Sequence, residues 1–125
     1  KVAQIEAGAF SGCLILKNIE FSDDSELNLI GNSAFFRSGI KNIAIPSKVS
    51  QIESKSFQYC NDLKSIEFLG DELFIKNLCF SYSKSFIVAS FPNASKISIC
   101  LDALILVSNN FSLFTCANIE IFQIK

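Results

Sequence analysis

Apolar residues recur along the chain in one order, first as Val2-x-x-Ile5-x-x-x-Ala9-Phe10-x-x-Cys13-x-x-Leu16-x-x-Ile19-x-Phe21. The order returns as Leu27-x-x-Ile30-x-x-x-Ala34-Phe35-x-x-Ser38-x-Ile40-x-x-Ile43-x-Ile45-Pro46, one residue shorter after the Phe. It returns again as Val49-x-x-Ile52-x-x-x-Ser56-Phe57-x-x-Cys60-x-x-Leu63-x-x-Ile66-x-Phe68. The Ile-x-Ile or Ile-x-Phe triplet alternates inward and outward, which predicts a short β-strand. A small residue followed by Phe and then Cys or Ser predicts one tight helical turn, with Asn32, Ser33, Ser54 and Asn109 placed to cap it. The Val/Leu-x-x-Ile stretch predicts a second extended edge, reached through Pro46 or a polar loop.

A recurrence of 20–30 residues argues for stacked coils rather than a single closed globule. Stacking turns Phe10, Phe35, Phe57, Phe80 and Phe111 into an interior ladder, each ring contributing roughly 1.5–3 kcal/mol by burial. The expected coils are 2–21, 27–45, 49–68, 72–99 and 103–121, about five in one array. From Cys79-Phe80 the next Ile-x-Ile triplet is Ile97-x-Ile99, so the fourth coil is read as carrying an irregular insertion near 81–93. The alternative makes 86–91 the strand, with the register slipping afterwards. The chain opens inside a coil and stops soon after a strand, without polar capping units. The expectation is therefore a segment of a longer solenoid, or ends covered by a partner or by a second copy.

Half of the 125 residues are apolar, which is incompatible with a disordered chain. The longest apolar run, 103–107, is far short of the ~20 residues of a membrane-spanning helix. Net charge is −1 and the eleven basic residues are dispersed, so neither nucleic acid nor an acidic membrane is an expected partner. Histidine is absent, which removes Ser-His and Cys-His nucleophiles and His metal ligation. No cofactor and no metal site is expected, and the chain is read as non-catalytic.

Five cysteines raise the question of disulfides. Cys13 and Cys60 share a slot two coils apart, roughly 10 Å at strand spacing, beyond the ~7 Å that a bridge spans. They read as small packing thiols, as do Cys79 and Cys116, whereas Cys100 is the one expected to be exposed. Asn93-Ala94-Ser95 and Asn110-Phe111-Ser112 match the glycosylation pattern but carry little weight at this Asn and Ser content. Asp23-Asp24-Ser25-Glu26 lacks the spacing of a calcium loop and reads as a solvated turn.

The pattern Ile45-Pro46-x-x-Val49-x-x-Ile52-x-x-x-Ser56-Phe57-x-x-Cys60-x-x-Leu63-x-x-Ile66-x-Phe68 resembles the BspA-like leucine-rich repeat family. The resemblance covers 2–80 and 97–121, while 81–96 departs from it. Only Gly31 keeps the glycine that the family places after the Ile; Glu6, Glu53, Lys76 and Val107 stand there otherwise. The resemblance implies a leucine-rich-repeat solenoid, α/β or mainly β. Its coils would be right-handed, with a parallel sheet on the concave face and short turns or extended segments on the convex side. It also implies protein–protein contact, with cell-surface adhesion to host proteins as the leading role. An intracellular, cytoplasmic or cytoskeletal scaffold repeat that docks into a larger assembly is the alternative.

Strand alternation names the outward residues of the sheet as Asn18, Glu20, Asn42, Ala44, Ser65, Glu67, Ser98, Asn118 and Glu120. Lys17, Lys41 and Lys64 begin successive strands and should form a basic row. This face is the expected protein-binding site, because repeat solenoids work through such surfaces. The rival is the supposed insertion, whose Tyr82, Phe86 and Phe91 could be exposed anchors. The uncapped ends offer a third place for a partner.

Overall fold

The computed structural model describes residues 2–104 and, beyond them, the backbone of two strands at Ser112–Thr115 and Asn118–Phe122. In chain order the strands are β1 Gln4–Ile5, β2 Leu29–Ile30, β3 Asn42–Ile45, β4 Gln51–Ile52, β5 Ser65–Phe68, β6 Glu72–Ile75, β7 Val88–Phe91, β8 Lys96–Cys100, β9 Ser112–Thr115 and β10 Asn118–Phe122. They form two parallel sheets. One runs β1-β2-β4-β6-β8-β10 and the other β3-β5-β7-β9. The first coil gives β1 to the six-stranded sheet, and from β2 to β9 successive strands alternate between the two sheets, so the chain is a parallel-sheet β-solenoid. Among the described residues the only helix is a 3-10 turn at Leu101–Leu104.

Between the sheets runs the phenylalanine ladder. The rings of Phe10 and Phe35 stack at 5.3 Å, Phe35 and Phe57 at 5.0 Å, and Phe57 and Phe80 at 5.9 Å. Ile30, Ile45, Ile52, Phe68, Ile75 and Ile99 line the same interior from the two sheets and are buried. The strand pattern explains why: in β3 and β5, Ile43, Ile45, Ile66 and Phe68 point in, while Asn42, Ala44 and Glu67 are exposed and Ser65 is half-buried.

The corner around each Phe is a pair of β-turns rather than the helical turn read from the sequence. Ala34 N–H donates to Gly31 O and Ser38 N–H to Phe35 O. Ser33 and Arg37, third in those turns, have φ of 56°. Gly8, Gly12, Lys55, Tyr59, Leu78 and Tyr82 repeat this positive φ two residues before or after the ladder Phe. A positive φ at the third residue is what a type II turn requires, and it cannot propagate a right-handed helix. Amides between the turn bonds reach the next coil instead, as Phe35 N–H does to Ser56 O and Phe57 N–H to Cys79 O.

The fourth coil holds no insertion. β7 pairs with β5 through Ser65↔Val88, Ile66↔Ala89 and Glu67↔Ser90, so Phe80, Ser83, Phe86, Ala89 and Phe91 repeat the spacing of Phe57, Cys60, Leu63, Ile66 and Phe68. Phe86 and Ala89 replace Leu63 and Ile66, a large–small exchange that keeps the interior filled. Ile97-x-Ile99 therefore lies in β8 of the six-stranded sheet, paired with Leu73 and Ile75. Phe80 N–H donates to Ala103 O, just as Phe57 N–H does to Cys79 O. By backbone register Ala103 thus takes the place of Cys79. Phe111, Asn110 and Cys116 lie outside the described residues.

Candidate functional site

The outward face of the four-stranded sheet carries most of the residues expected there. Parallel pairing aligns Asn42 with Ser65 and Val88, and Ala44 with Glu67 and Ser90. In the first coil, Asn18 and Glu20 continue the two rows. Ser65 Oγ donates to Asn42 Oδ1 at 2.7 Å, linking side chains along one row. Ala44, between Glu20 and Glu67, leaves a notch in the other. Asn18, Glu20, Asn42, Ala44, Ser65 and Glu67, with Asp23 and Pro46, line an open groove of about 730 Å³. Its charged lining residues are Glu20, Asp23 and Glu67, all acidic.

A lysine immediately precedes each of the lining residues Asn18, Asn42 and Ser65. Lys41 N–H donates to Lys17 O, Lys64 N–H to Lys41 O and Ile87 N–H to Lys64 O, so the basic row read from the sequence is a backbone ladder that ends in an isoleucine. Lys17 is tied to Asp62 at 3.1 Å, while Lys41 and Lys64 are exposed. The loop beside the groove is tied down: Ser22 Oγ donates to Asp24 Oδ1, and Lys48 pairs with Glu26 at 2.9 Å.

Three expected members of this face are elsewhere. Ser98 lies in β8, and Asn118 and Glu120 in β10, both strands of the six-stranded sheet. The cause is the register of the fourth coil, which gives Ser90 the place assigned to Ser98. The insertion anchors are also revised. Phe86 and Phe91 are fully buried, Phe91 stacking on Phe68 at 4.9 Å and Phe86 packing on Phe80 at 5.0 Å. Only Tyr82 reaches the surface, half-buried.

Tyr82 belongs to a second aromatic row that sequence reading missed. It stacks on Tyr59 at 4.9 Å, and Tyr59 meets the edge of Phe36 at 5.8 Å. The Arg37 guanidinium lies over Tyr59 at 5.1 Å and over Phe36 at 5.6 Å. Arg37, Tyr59 and Tyr82 each follow the ladder Phe by two residues, and that shared slot was the available signal.

Cys60 and Cys79 serve packing. Cys60 Sγ donates to Phe35 O at 3.0 Å, and Ser83 Oγ in the next coil donates to Phe57 O at 2.6 Å, so Cys and Ser are interchangeable in this slot. Burial pushes the Cys60 thiol up to about 11 and also raises that of Cys79, so neither is a thiolate at neutral pH. Cys100, expected to be exposed, is buried, and its Sγ donates to Asp102 Oδ1 at 3.0 Å. Burial at the end of β8 explains the difference. Among the described residues no group of three or more Cys, Asp or Glu is placed to hold a metal. No helix among them is long and apolar enough to cross a membrane.

A family model described as a BspA type leucine rich repeat region matches residues 1–104 in six copies. Neither the curated proteins nor the solved structures gave a match.

Proposed function

The chain belongs to the BspA-type leucine-rich repeat family, and from that premise we propose that the groove on the four-stranded sheet binds an extended segment of a partner protein. Repeats of this kind are in general non-catalytic interaction modules, and a sheet built from successive coils offers a continuous surface. The observation that carries the reading is the groove itself: outward rows from Asn18 to Ser65 and from Glu20 to Glu67, acidic within, with Lys41 and Lys64 one residue before Asn42 and Ser65. Such a pattern suits a segment with a basic side chain over Ala44 and acidic side chains toward the lysine row.

Cell-surface adhesion to a host protein is the role that the family resemblance favours for this contact. The experiment is selection of binding peptides from a displayed library against wild type, Ala44→Trp and Glu67→Lys. Both changes fall on exposed positions and leave the interior intact. The reading expects enriched peptides to carry Lys or Arg and to lose binding to both variants. Equal binding to all three proteins removes the sheet face from consideration.

A scaffold role has one observation in its favour. The outer face of the first coil holds an apolar depression of about 380 Å³ lined by Val2, Ile5, Phe10, Phe21 and Leu27. That surface suits end-on docking to another coil. A concentration-dependent rise in mass on sedimentation, suppressed by Phe10→Glu, is its expected signature. A constant monomer mass rejects self-docking through this face.

A further inference from the structure

Beside the second aromatic row the surface dips into a depression of about 360 Å³ that includes Leu14, Arg37, Tyr59, Asn61, Asp62 and Lys84. Four successive coils contribute to it. Its electrostatics are lopsided, because the Asp62 carboxylate is already engaged by Lys17 Nζ at 3.1 Å. Among the described residues no carboxylate lies within ion-pair distance of Arg37 or Lys84. Among the described residues the depression therefore presents two cations that no carboxylate pairs.

Arg37 is also held in place. The rings of Tyr59 and Phe36 engage its guanidinium, and its backbone N–H donates to Gln58 O at 3.0 Å. An arginine stacked on aromatic rings is partly desolvated and directionally fixed, so its planar N–H edge is preorganised for an acceptor. A carboxylate matches that edge with two parallel hydrogen bonds. Lys84 adds a second charge, and the Asn61 amide and Tyr59 hydroxyl add neutral donors. Leu14, 67% exposed, gives the rim an apolar surface.

We propose that this depression is a second binding site, separate from the sheet groove, which receives an acidic side chain of a partner polypeptide next to an apolar residue. The choice of a polypeptide over a free anion rests on the protein-interaction reading above. Arg37 takes the carboxylate, Lys84 supports it, and Leu14 packs on the neighbouring apolar side chain.

The protein carries its own reporter, since its only tyrosines are Tyr59 and Tyr82 and it has no tryptophan. An acetylated, amidated octapeptide of alternating Glu and Leu, titrated into the full chain, should change tyrosine emission saturably and more weakly in high salt. Arg37→Ala and Lys84→Glu should each lower affinity at least tenfold, and Lys48→Ala should leave it unchanged. Among the described residues the cation over the aromatic rings is Arg37 rather than Lys84, so the Lys84 variant keeps the test decisive if Arg37→Ala misfolds. No saturable response in wild type, or wild-type affinity in a folded Arg37→Ala or Lys84→Glu variant, overturns the proposal. A response to a sulfated oligosaccharide or inorganic sulfate, but not to the peptide, also overturns it by assigning the cations to another anion. Because the probe is defined, its failure leaves the sheet-groove reading standing, and failure of the library selection leaves this site standing.

Discussion

Lys17 Nζ lies 3.1 Å from Asp62 Oδ2, although the two residues belong to coils separated by a third. The bridge passes over Gly39 in the intervening coil. A Cβ on Gly39 would come within 2.9 Å of Lys17 Nζ and within 2.0 Å of the Leu14 carbonyl oxygen. The second coil is one residue shorter here than its neighbours, with Ser38-Gly39-Ile40 in place of Cys60-x-x-Leu63. That shortening draws the backbone against the first coil. Gly39→Ala should accordingly destabilise the protein by roughly 1–3 kcal/mol, the range of overpacking. Lys17→Ala should cost at most about 1 kcal/mol, because the ion pair is largely solvated. Urea midpoints of the two variants check the order.

The ladder should be most sensitive at its centre. Phe57 is fully buried between Phe35 and Phe80, whereas Phe10 is half-buried and stacks on one side only among the described residues. Phe57→Ala is expected to cost about 3–5 kcal/mol, the usual value for a core Phe. Phe10→Ala should cost clearly less. Comparison of their thermal unfolding midpoints decides, and equal losses would contradict the graded ladder.

Lys55 is exposed and has φ of 61°. A left-handed conformation costs an L-residue about 1–2 kcal/mol, while glycine loses roughly 0.5–1 kcal/mol of extra chain entropy on folding. Lys55→Gly should therefore raise stability by about 0.5–1 kcal/mol. A lowered denaturation midpoint would show that Lys55 makes a compensating contact.

Stability should fall in alkali through the buried thiols. The Cys60 thiol is raised by burial from 9.0 to about 11, against weaker lowering by its Ser38 hydrogen bonds. Between these values the unfolded chain loses this proton and the folded chain keeps it, so stability decreases as pH rises from 9 toward 11. The loss assigned to Cys60 is roughly 2 kcal/mol. Cys60→Ser replaces the thiol by the group that Ser38 and Ser83 already place in that slot. Urea titrations at pH 8 and 10.5 should show a shallower alkaline loss for the variant than for wild type.

Gly31 makes a second close approach to the first coil, before the ladder Phe rather than after it. A Cβ there would meet Ile5 O and Ala7 N at 2.7 Å. In the equivalent slots of later coils Glu53 and Lys76 stand instead and pair at 2.6 Å across the stack. Gly31→Ala should destabilise, whereas Glu53→Ala should remove little more than a partly solvated ion pair. Thermal melts of the two variants test the difference.

Much of the candidate groove was legible because alternation is local. Asn18, Glu20, Asn42, Ser65 and Glu67 sit one residue from an inward Ile or Phe, and a strand sends neighbours to opposite faces. Ser98, Asn118 and Glu120 satisfy the same rule and still belong to the other sheet. Both sheets use an Ile-x-Ile signature, so periodicity alone cannot say which one a triplet joins. In the fourth coil Ala89 and Phe91 replaced the expected apolar pair, and the stronger triplet at Ile97 drew the register past it. The Arg37–Tyr59–Tyr82 slot went unread because its residue types differ from coil to coil.

The sequence by itself determined the coil, its interior Phe and the inward–outward order of each strand, because these depend on spacings within a few residues. Tertiary structure decided the assignment of strands to two sheets, the burial of Phe86 and Phe91, and the meeting of Arg37, Lys84 and Asp62 at one surface. Those outcomes depend on which coil stacks on which and at what offset. That offset is set by inter-coil hydrogen bonds and volume compensation between residues more than twenty positions apart, which no local pattern records.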